Sequence, residues 1–385
     1  MGPTEEPQTR ADLREMTATL LARHLPAHRA QELDEQGMFD RELWRELGTS
    51  GLLGIAAPED SGGSGGTVGD AIAVTEEIAR VLPSLAVDYV LSGMVTRMLS
   101  EPDLEAPASW LADAASGSQI FSYGLSEPDV GTDLLALRTR ASRTDDGWLI
   151  SGQKTWISLA SEADLIFVLC RTDPATAEHT SRGLSLIAVP TDQPGVQVRR
   201  VHLAGMRAAM TCEVTLDNAV APPDHLIGER GRGMRILART LDVERLMAAA
   251  ISLGIGRAAA ELHQEYACQR EAFGRPIGAL QAVQHPLADS AAELAAARAL
   301  IEATTVRLEQ GQSTHPQAAM AKLVSSETTA RIVDRGMRAL GAMGLATESR
   351  MQMYFRDARL QLFSPISNEM TRNLLGESLG LPRSY

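Results

Sequence analysis

The chain has 385 residues, 44% of them hydrophobic, which suits two or three packed domains. Its net charge of −13, without a basic patch, argues against nucleic acid, and no run of about 18 apolar residues offers a membrane span. Cys170, Cys212 and Cys268 are too few and too far apart to suggest a disulfide framework or a zinc site, so no metal is expected.

Residues 1–118 read as a helical domain, with 3.6-type apolar spacing through 11–25, 40–51 and 69–81. The first residues are polar and acidic and lead into no apolar core, so no secretory signal is expected and a cytoplasmic location fits. The glycine-rich stretch 61–67 has no Lys and follows no strand in a tight unit. It reads as a flexible turn, not a phosphate loop. Over 119–229 the pattern changes to short runs rich in Ile, Val, Leu, Phe and Thr, at 119–125, 148–152, 165–170, 184–189, 196–201 and 212–216. Strands at this spacing, with no helices between them, predict a small antiparallel barrel or sandwich. From 230 to 385 the chain reads as helix again, over 234–273, 282–309 and 315–343, and long helices with short loops predict an antiparallel bundle. The class is therefore α+β in the order helical, sheet, helical. There is no GxGxxG, so a Rossmann domain is not supported.

Glu244 stands out within the last section. Leu237, Leu241, Ala248 and Ile251 lie seven and three residues before it and four and seven after it, which puts the carboxylate on an apolar stripe. Arg245 points about 100° away and can pair with Asp242, three residues back. A carboxylate in a dry pocket without a local partner is how a protein makes a general base; a structural Glu paired at a distance is the other reading.

Three further pieces carry chemistry jointly. Tyr123-Gly-Leu-Ser-Glu-Pro-Asp-Val-Gly-Thr-Asp133 follows a strand and offers hydroxyls and open backbone to a cofactor ring or pyrophosphate. Gly152-Gln-Lys-Thr-Trp-Ile-Ser158 places a Trp among polar residues at a strand end. Arg270-Glu-Ala-Phe-Gly-Arg-Pro-Ile277, with Gln281 and Gln284 beyond, sets an Arg fork and a ring at a tight corner. Taken singly, the first two are more often a turn and a core Trp. In this order and spacing the pieces resemble the acyl-CoA dehydrogenase family over nearly the whole chain, most firmly over 120–285.

The resemblance implies a helical N-terminal domain, a middle antiparallel β-barrel domain and a C-terminal four-helix bundle, with FAD between the last two near a subunit interface of a homotetramer. It implies FAD contacts from Tyr123, Leu125, Ser126, Gly131, Thr132, Trp156, Ile157 and Ser158. Arg270, Phe273 and Gln281 would reach the FAD of a neighbouring subunit. Thr132, Leu241, Asp242, Arg245 and Ala248 would meet an acyl thioester, on CoA or on an acyl carrier protein. An electron-transfer flavoprotein would accept the electrons. Most members carry the base near the C-terminus; here that segment reads Ser364-Pro-Ile-Ser-Asn-Glu-Met370, and Pro365 replaces the Glu. Ser367 and Glu369 still match residues that touch FAD. A smaller group, resembling isovaleryl- and long-chain acyl-CoA dehydrogenases, places the base at the position of Glu244. Pro365 also has no N–H with which to polarise a thioester oxygen, so that donor is expected to shift to a neighbour. Arg338, just before Gly341, stands where the family usually has Gln, and reads either as a pyrophosphate contact or as a surface ion pair. Alternative reactions on the same fold are carrier-protein-linked dehydrogenation and flavin monooxygenation.

Overall fold

The computed structural model describes residues 7–174 and 182–383. Six helices come first: α1 (Gln8–His24), α2 (Ala27–Gln36), α3 (Arg41–Thr49), α4 (Val68–Val81), α5 (Pro83–Leu99) and α6 (Ser109–Ser116). Polar residues set several of their starts. The Asp40 carboxylate accepts from Leu43 N–H at 3.0 Å, and Thr67 and Asp70 close a capping box on α4. The glycine-rich stretch before α4 is not the flexible turn its composition predicts. Ser64, Gly65 and Gly66 N–H donate to the Gly54, Ala57 and Ile55 carbonyls, so the loop is pinned to the preceding turn.

Eight strands follow: β1 (Phe121–Gly124), β2 (Arg140–Thr144), β3 (Gly147–Ile157), β4 (Leu165–Arg171), β5 (Leu184–Pro190), β6 (Val196–Arg200), β7 (Cys212–Ala221) and β8 (Leu226–Ile227). They form one sheet in the order β6-β7-β3-β2-β4-β5-β8, with β1 beside β4. Most neighbours are antiparallel; β1 and β2 each meet β4 in parallel. β3 is much longer than the alternation at 148–152 predicts and absorbs the Gly-Gln-Lys-Thr-Trp-Ile motif. Aromatic edges seat β1 beneath α5 and α6: Trp110 meets Phe167 edge-on at 5.9 Å, and Phe167 meets Phe121 at 5.8 Å.

The last section begins with α7 (Gly233–Ala238) and α8 (Leu241–Gln269). One unbroken helix was expected here, but the chain breaks at Arg239–Thr240, where Thr240 Oγ1 donates to Leu237 carbonyl at 2.9 Å. A short ladder of β9 (Glu271–Ala272) and β10 (Arg275–Pro276) leads into α9 (Gln281–Glu309), α10 (His315–Leu340), α11 (Ala342–Leu345), α12 (Arg350–Asp357) and α13 (Asn368–Ser378). α8 and α10 run in the same direction. His315 meets Arg245 at their starts, and Thr329 Oγ1 donates to the Ser252 carbonyl further on. α9 runs against them, with Arg335 bonded to Glu293. Helix α4 packs so closely on α8 that a Cβ at Gly254 would stand 2.4 Å from the Glu76 carbonyl, so Gly254 sets that approach.

Candidate functional site

Two motifs far apart in sequence meet at the ends of β1 and β3. Thr155 N–H donates to the Ser126 carbonyl at 3.0 Å, and Ser122 Oγ donates to the Ser158 carbonyl. A buried ion pair holds this junction. Lys154 Nζ donates to Glu127 Oε1 at 3.0 Å and to the Leu125 carbonyl at 2.9 Å, while Glu127 also accepts from Arg138 and Thr139 N–H. Burial alone would raise the Glu127 carboxyl, but those hydrogen bonds and the Lys154 charge hold it below the ordinary range. A buried pair is stable only when its remaining polar atoms are satisfied in this way. Beside the pair, Trp156 sits in the left-handed region at φ 61° with 61% of its surface exposed. A strained, bare indole is an uncovered platform of the kind a flat aromatic cofactor fills. Gly131 and Thr132 are exposed nearby in the chain, and a Cβ at Gly131 would meet open space.

Glu244 lies in the first turn of α8 and is partly buried. Among the described residues its carboxylate has no hydrogen bond or ion pair, so the partnerless position expected from the sequence is what the structure has. Burial pushes the carboxyl up to about 7, and Arg245 pulls the other way. The apolar stripe is narrower than expected: Leu237 belongs to α7 and Leu241 is exposed, so Ala248 and Ile251 carry it. Tyr123 on β1 faces the same space. Burial raises its phenol, and the Glu244 charge raises it further. The Tyr123 hydroxyl contacts the Met94 carbonyl at 3.4 Å, so β1, α5 and α8 converge here.

Arg245 is buried, and Asp242 Oδ1 accepts from its Nη1 at 3.2 Å, as the three-residue spacing predicts. Asp242 also accepts from Thr314 Oγ1 at 3.1 Å. About two turns along α10, buried Lys322 donates to the Ile366 carbonyl at 2.6 Å and to Asn368 Oδ1 at 2.7 Å. It thereby fixes the segment that carries Pro365. Burial, with the nearby Arg245 charge, pushes Lys322 down to about 8 against Glu369 and Glu327. Ser367 caps α13 by accepting from Met370 N–H at 3.2 Å, and Glu369 is exposed in the first turn of that helix.

A second group of expected residues lies elsewhere. Arg270 ends α8, about 39 Å along the axis from Glu244. Phe273 and Gly274 form a two-residue turn between β9 and β10, with φ 53° and 75°, and Phe273 is 93% exposed. Gln281 starts α9, and Arg338 and Gly341 end α10 on the same side of the bundle. Arg338 is exposed and pairs with Asp334 at 2.8 Å. Within one chain these five residues do not join Glu244. Sequence reading missed Lys154, Lys322 and His315. A lone Lys within a strand or helix, or a His at a helix start, carries no signal of burial or partner until the fold supplies it.

Residues 7–118, 122–219 and 231–380 match the N-terminal, middle and C-terminal domain models of acyl-CoA dehydrogenase. The chain is 34% identical over 359 residues to benzylmalonyl-CoA dehydrogenase of Aromatoleum aromaticum, covering 92% of this chain and 93% of that one. It is 31% identical over 371 residues to mitochondrial isovaleryl-CoA dehydrogenase of Pongo abelii, covering 95% and 87%. Butyryl-CoA dehydrogenase of Megasphaera elsdenii has the same fold, with a TM-score of 0.91 and 27% identity, covering 98% of this chain and 99% of that one. No helix among the described residues is long and apolar enough to cross a membrane.

Proposed function

The chain belongs to the acyl-CoA dehydrogenase family of FAD-dependent oxidoreductases, and we propose that it removes the elements of hydrogen across the α and β carbons of an acyl-CoA with Glu244 as the base. The observation that carries this is the state of Glu244: a partly buried carboxylate with no partner among the described residues, pushed up to about 7, while Pro365 leaves the other familiar position without an ionisable group. A base poised near neutral pH takes a proton from a weak carbon acid and is still ionised when substrate arrives. Bound FAD supplies the acceptor for the β hydride.

The chain's own residues do the rest. Glu244 holds the α proton on its carboxylate, and the dry wall of Ala248 and Ile251 strengthens its basicity. Asp242 and Arg245 fix the start of α8 and line the approach with Thr132, Leu241 and Ala248. Tyr123, Leu125, Ser126, Gly131, Trp156, Ile157 and Ser158 form the wall that holds the flavin ring, with the bare indole of Trp156 as its platform and the Glu127–Lys154 pair as its anchor. Ser367 and Glu369 close the wall from α13. Arg270, Phe273, Gln281, Arg338 and Gly341 serve the FAD of a neighbouring copy, which makes the enzyme a homo-oligomer, by family likeness a tetramer. Its electrons leave to an electron-transfer flavoprotein.

The test is anaerobic reduction of the FAD-loaded protein by butyryl-, isovaleryl-, glutaryl- and benzylmalonyl-CoA, followed by flavin bleaching. Reduction by one of them in the wild type, lost in Glu244→Gln with FAD retained, is the expected result. A Glu244→Gln protein that bleaches at the wild-type rate would sink the assignment of the base.

A further inference from the structure

Three side chains meet at the starts of α8 and α10. Arg245 Nη1 lies 3.2 Å from Asp242 Oδ1, 3.0 Å from His315 Nδ1 and 3.5 Å from His315 Nε2, and His315 Nδ1 lies 2.9 Å from Asp242 Oδ1. A guanidinium nitrogen only donates, a carboxylate only accepts, and an imidazole nitrogen carries either a proton or a lone pair. The neutral ring with its proton on Nδ1 donates to Asp242 and keeps the Nε2 lone pair for Arg245. The protonated ring still donates to Asp242 but has no lone pair left for Arg245, so two cations then share one carboxylate.

Arg245 directly follows Glu244 and is the charge that draws the base back towards its ionised form. The His315 side chain is half exposed, so it exchanges protons with water while the guanidinium it touches is buried. We propose that His315 is a positioning residue for Glu244, its proton setting the positive field at the carboxylate through Asp242 and Arg245. This rests on Glu244 being the base. When a protonated ring shares Asp242, that carboxylate neutralises Arg245 less, and the field at Glu244 becomes more positive. Protonation of His315 thus keeps the base ionised to lower pH. Thr314 Oγ1 donates to the other carboxylate oxygen, Asp242 Oδ2, at 3.1 Å. The other charges around the triangle are Lys322 on α10, felt by Arg245, with Glu327 and Glu369 about it, and Tyr123 faces Glu244 from β1.

Two measurements on the FAD-loaded enzyme test this. The first is the imidazole titration of His315 by NMR in wild type and in Glu244→Gln, with the resonance assigned from His315→Asn. Coupling is reciprocal, so removing the Glu244 charge should lower the His315 midpoint by about half a pH unit. The second is the pH dependence of flavin reduction by the fastest thioester of the panel. His315→Asn and His315→Ala should each lose roughly threefold in rate at the acid end of the profile and keep the wild-type rate at its alkaline end. A merely structural role would lower the rate equally at all pH. The proposal is overturned if the His315 midpoint is the same in both proteins, or if the variants show no pH-selective loss. If no thioester of the panel reduces the wild type, the reading of the function fails while the NMR pair still decides the coupling.

Discussion

The two ends of the C-terminal bundle carry functional side chains in opposite conditions. At one end Glu244, Asp242, Arg245 and Lys322 are wholly or partly buried, and contacts within the chain fix all of them except the Glu244 carboxylate. At the other, Phe273, Gln281, Gly341 and Arg338 are exposed, and a Cβ at Gly274 or Gly341 would meet open space. The first end is finished by its own chain apart from the Glu244 carboxylate, which has no hydrogen bond or ion pair among the described residues. The second is a set of exposed groups, Arg338 among them in its ion pair with Asp334. Burial without a partner marks chemistry, whereas exposure of a large apolar ring on a rigid turn marks a surface built to be covered.

Removing the free carboxylate should have the largest effect. Glu244→Gln keeps the shape of the side chain and abolishes its basicity. The rate of flavin reduction should fall by a factor on the order of 10³, in the middle of the range a general base contributes. FAD absorbance should stay near wild type, and so should the unfolding midpoint at pH 5, where the folded carboxyl is protonated. Stopped-flow bleaching against thermal unfolding separates these, and a loss of FAD in this variant would mean that the two ends are not independent.

The distal end is broken by Phe273→Ala combined with Arg270→Ala. Phe273 touches little within its own chain, so monomer folding should be spared. FAD affinity should drop by roughly tenfold or more, which is about 1.4 kcal/mol or more, and the assembly should shrink in size-exclusion chromatography with light scattering. Full FAD affinity with an unchanged assembly would show that this corner covers nothing.

Much of this was legible in the sequence, for reasons that differ by residue. Alternation and 3.6-type spacing are local, so the helical and sheet sections could be read directly. The freedom of Glu244 could be read because its nearest charged neighbours, Asp242 and Arg245, satisfy each other at helical spacing. The break at Arg239–Thr240 could not, since no Gly or Pro marks it and hydrophobicity continues across it. Nor could the pinning of 61–67, which depends on carbonyls of residues 54–57 that composition does not see. Lys154, Lys322 and His315 acquire roles only through Glu127, Ile366 and Arg245, partners that the fold brings from other elements.

A change of pH sharpens the same contrast without a mutation. The Glu244 carboxyl is pushed up to about 7 in the folded chain and must be ionised to act. Flavin reduction should therefore rise with pH through this value and level off above it, being roughly tenfold slower at pH 6 than at pH 8. The linkage to stability has the opposite sign. A folded carboxyl that binds its proton more tightly than the unfolded one makes stability fall as pH rises from its ordinary range to about 7. Glu244→Gln should remove that part of the fall, to be followed by denaturant unfolding at pH 5 and pH 8.

Arg338→Gln is the smallest change and restores the residue the family usually has there. Arg338 is four-fifths exposed, and Asp334 lies at i,i+4 spacing, so as an ion pair alone it is worth only about 0.3–0.5 kcal/mol and is screened by salt. A contact with a pyrophosphate is different in kind. The planar fork of Arg is charge-assisted and directional, and Gln can replace only its neutral hydrogen bond. FAD release from Arg338→Gln should therefore be about twofold to tenfold faster at low salt. The gap should narrow as salt rises, because the extra attraction of Arg is coulombic while the hydrogen bond of Gln is not. Equal release at every ionic strength, with a small loss of helix stability, would leave Arg338 paired to Asp334 alone and restrict the distal end to Arg270, Phe273, Gln281 and Gly341.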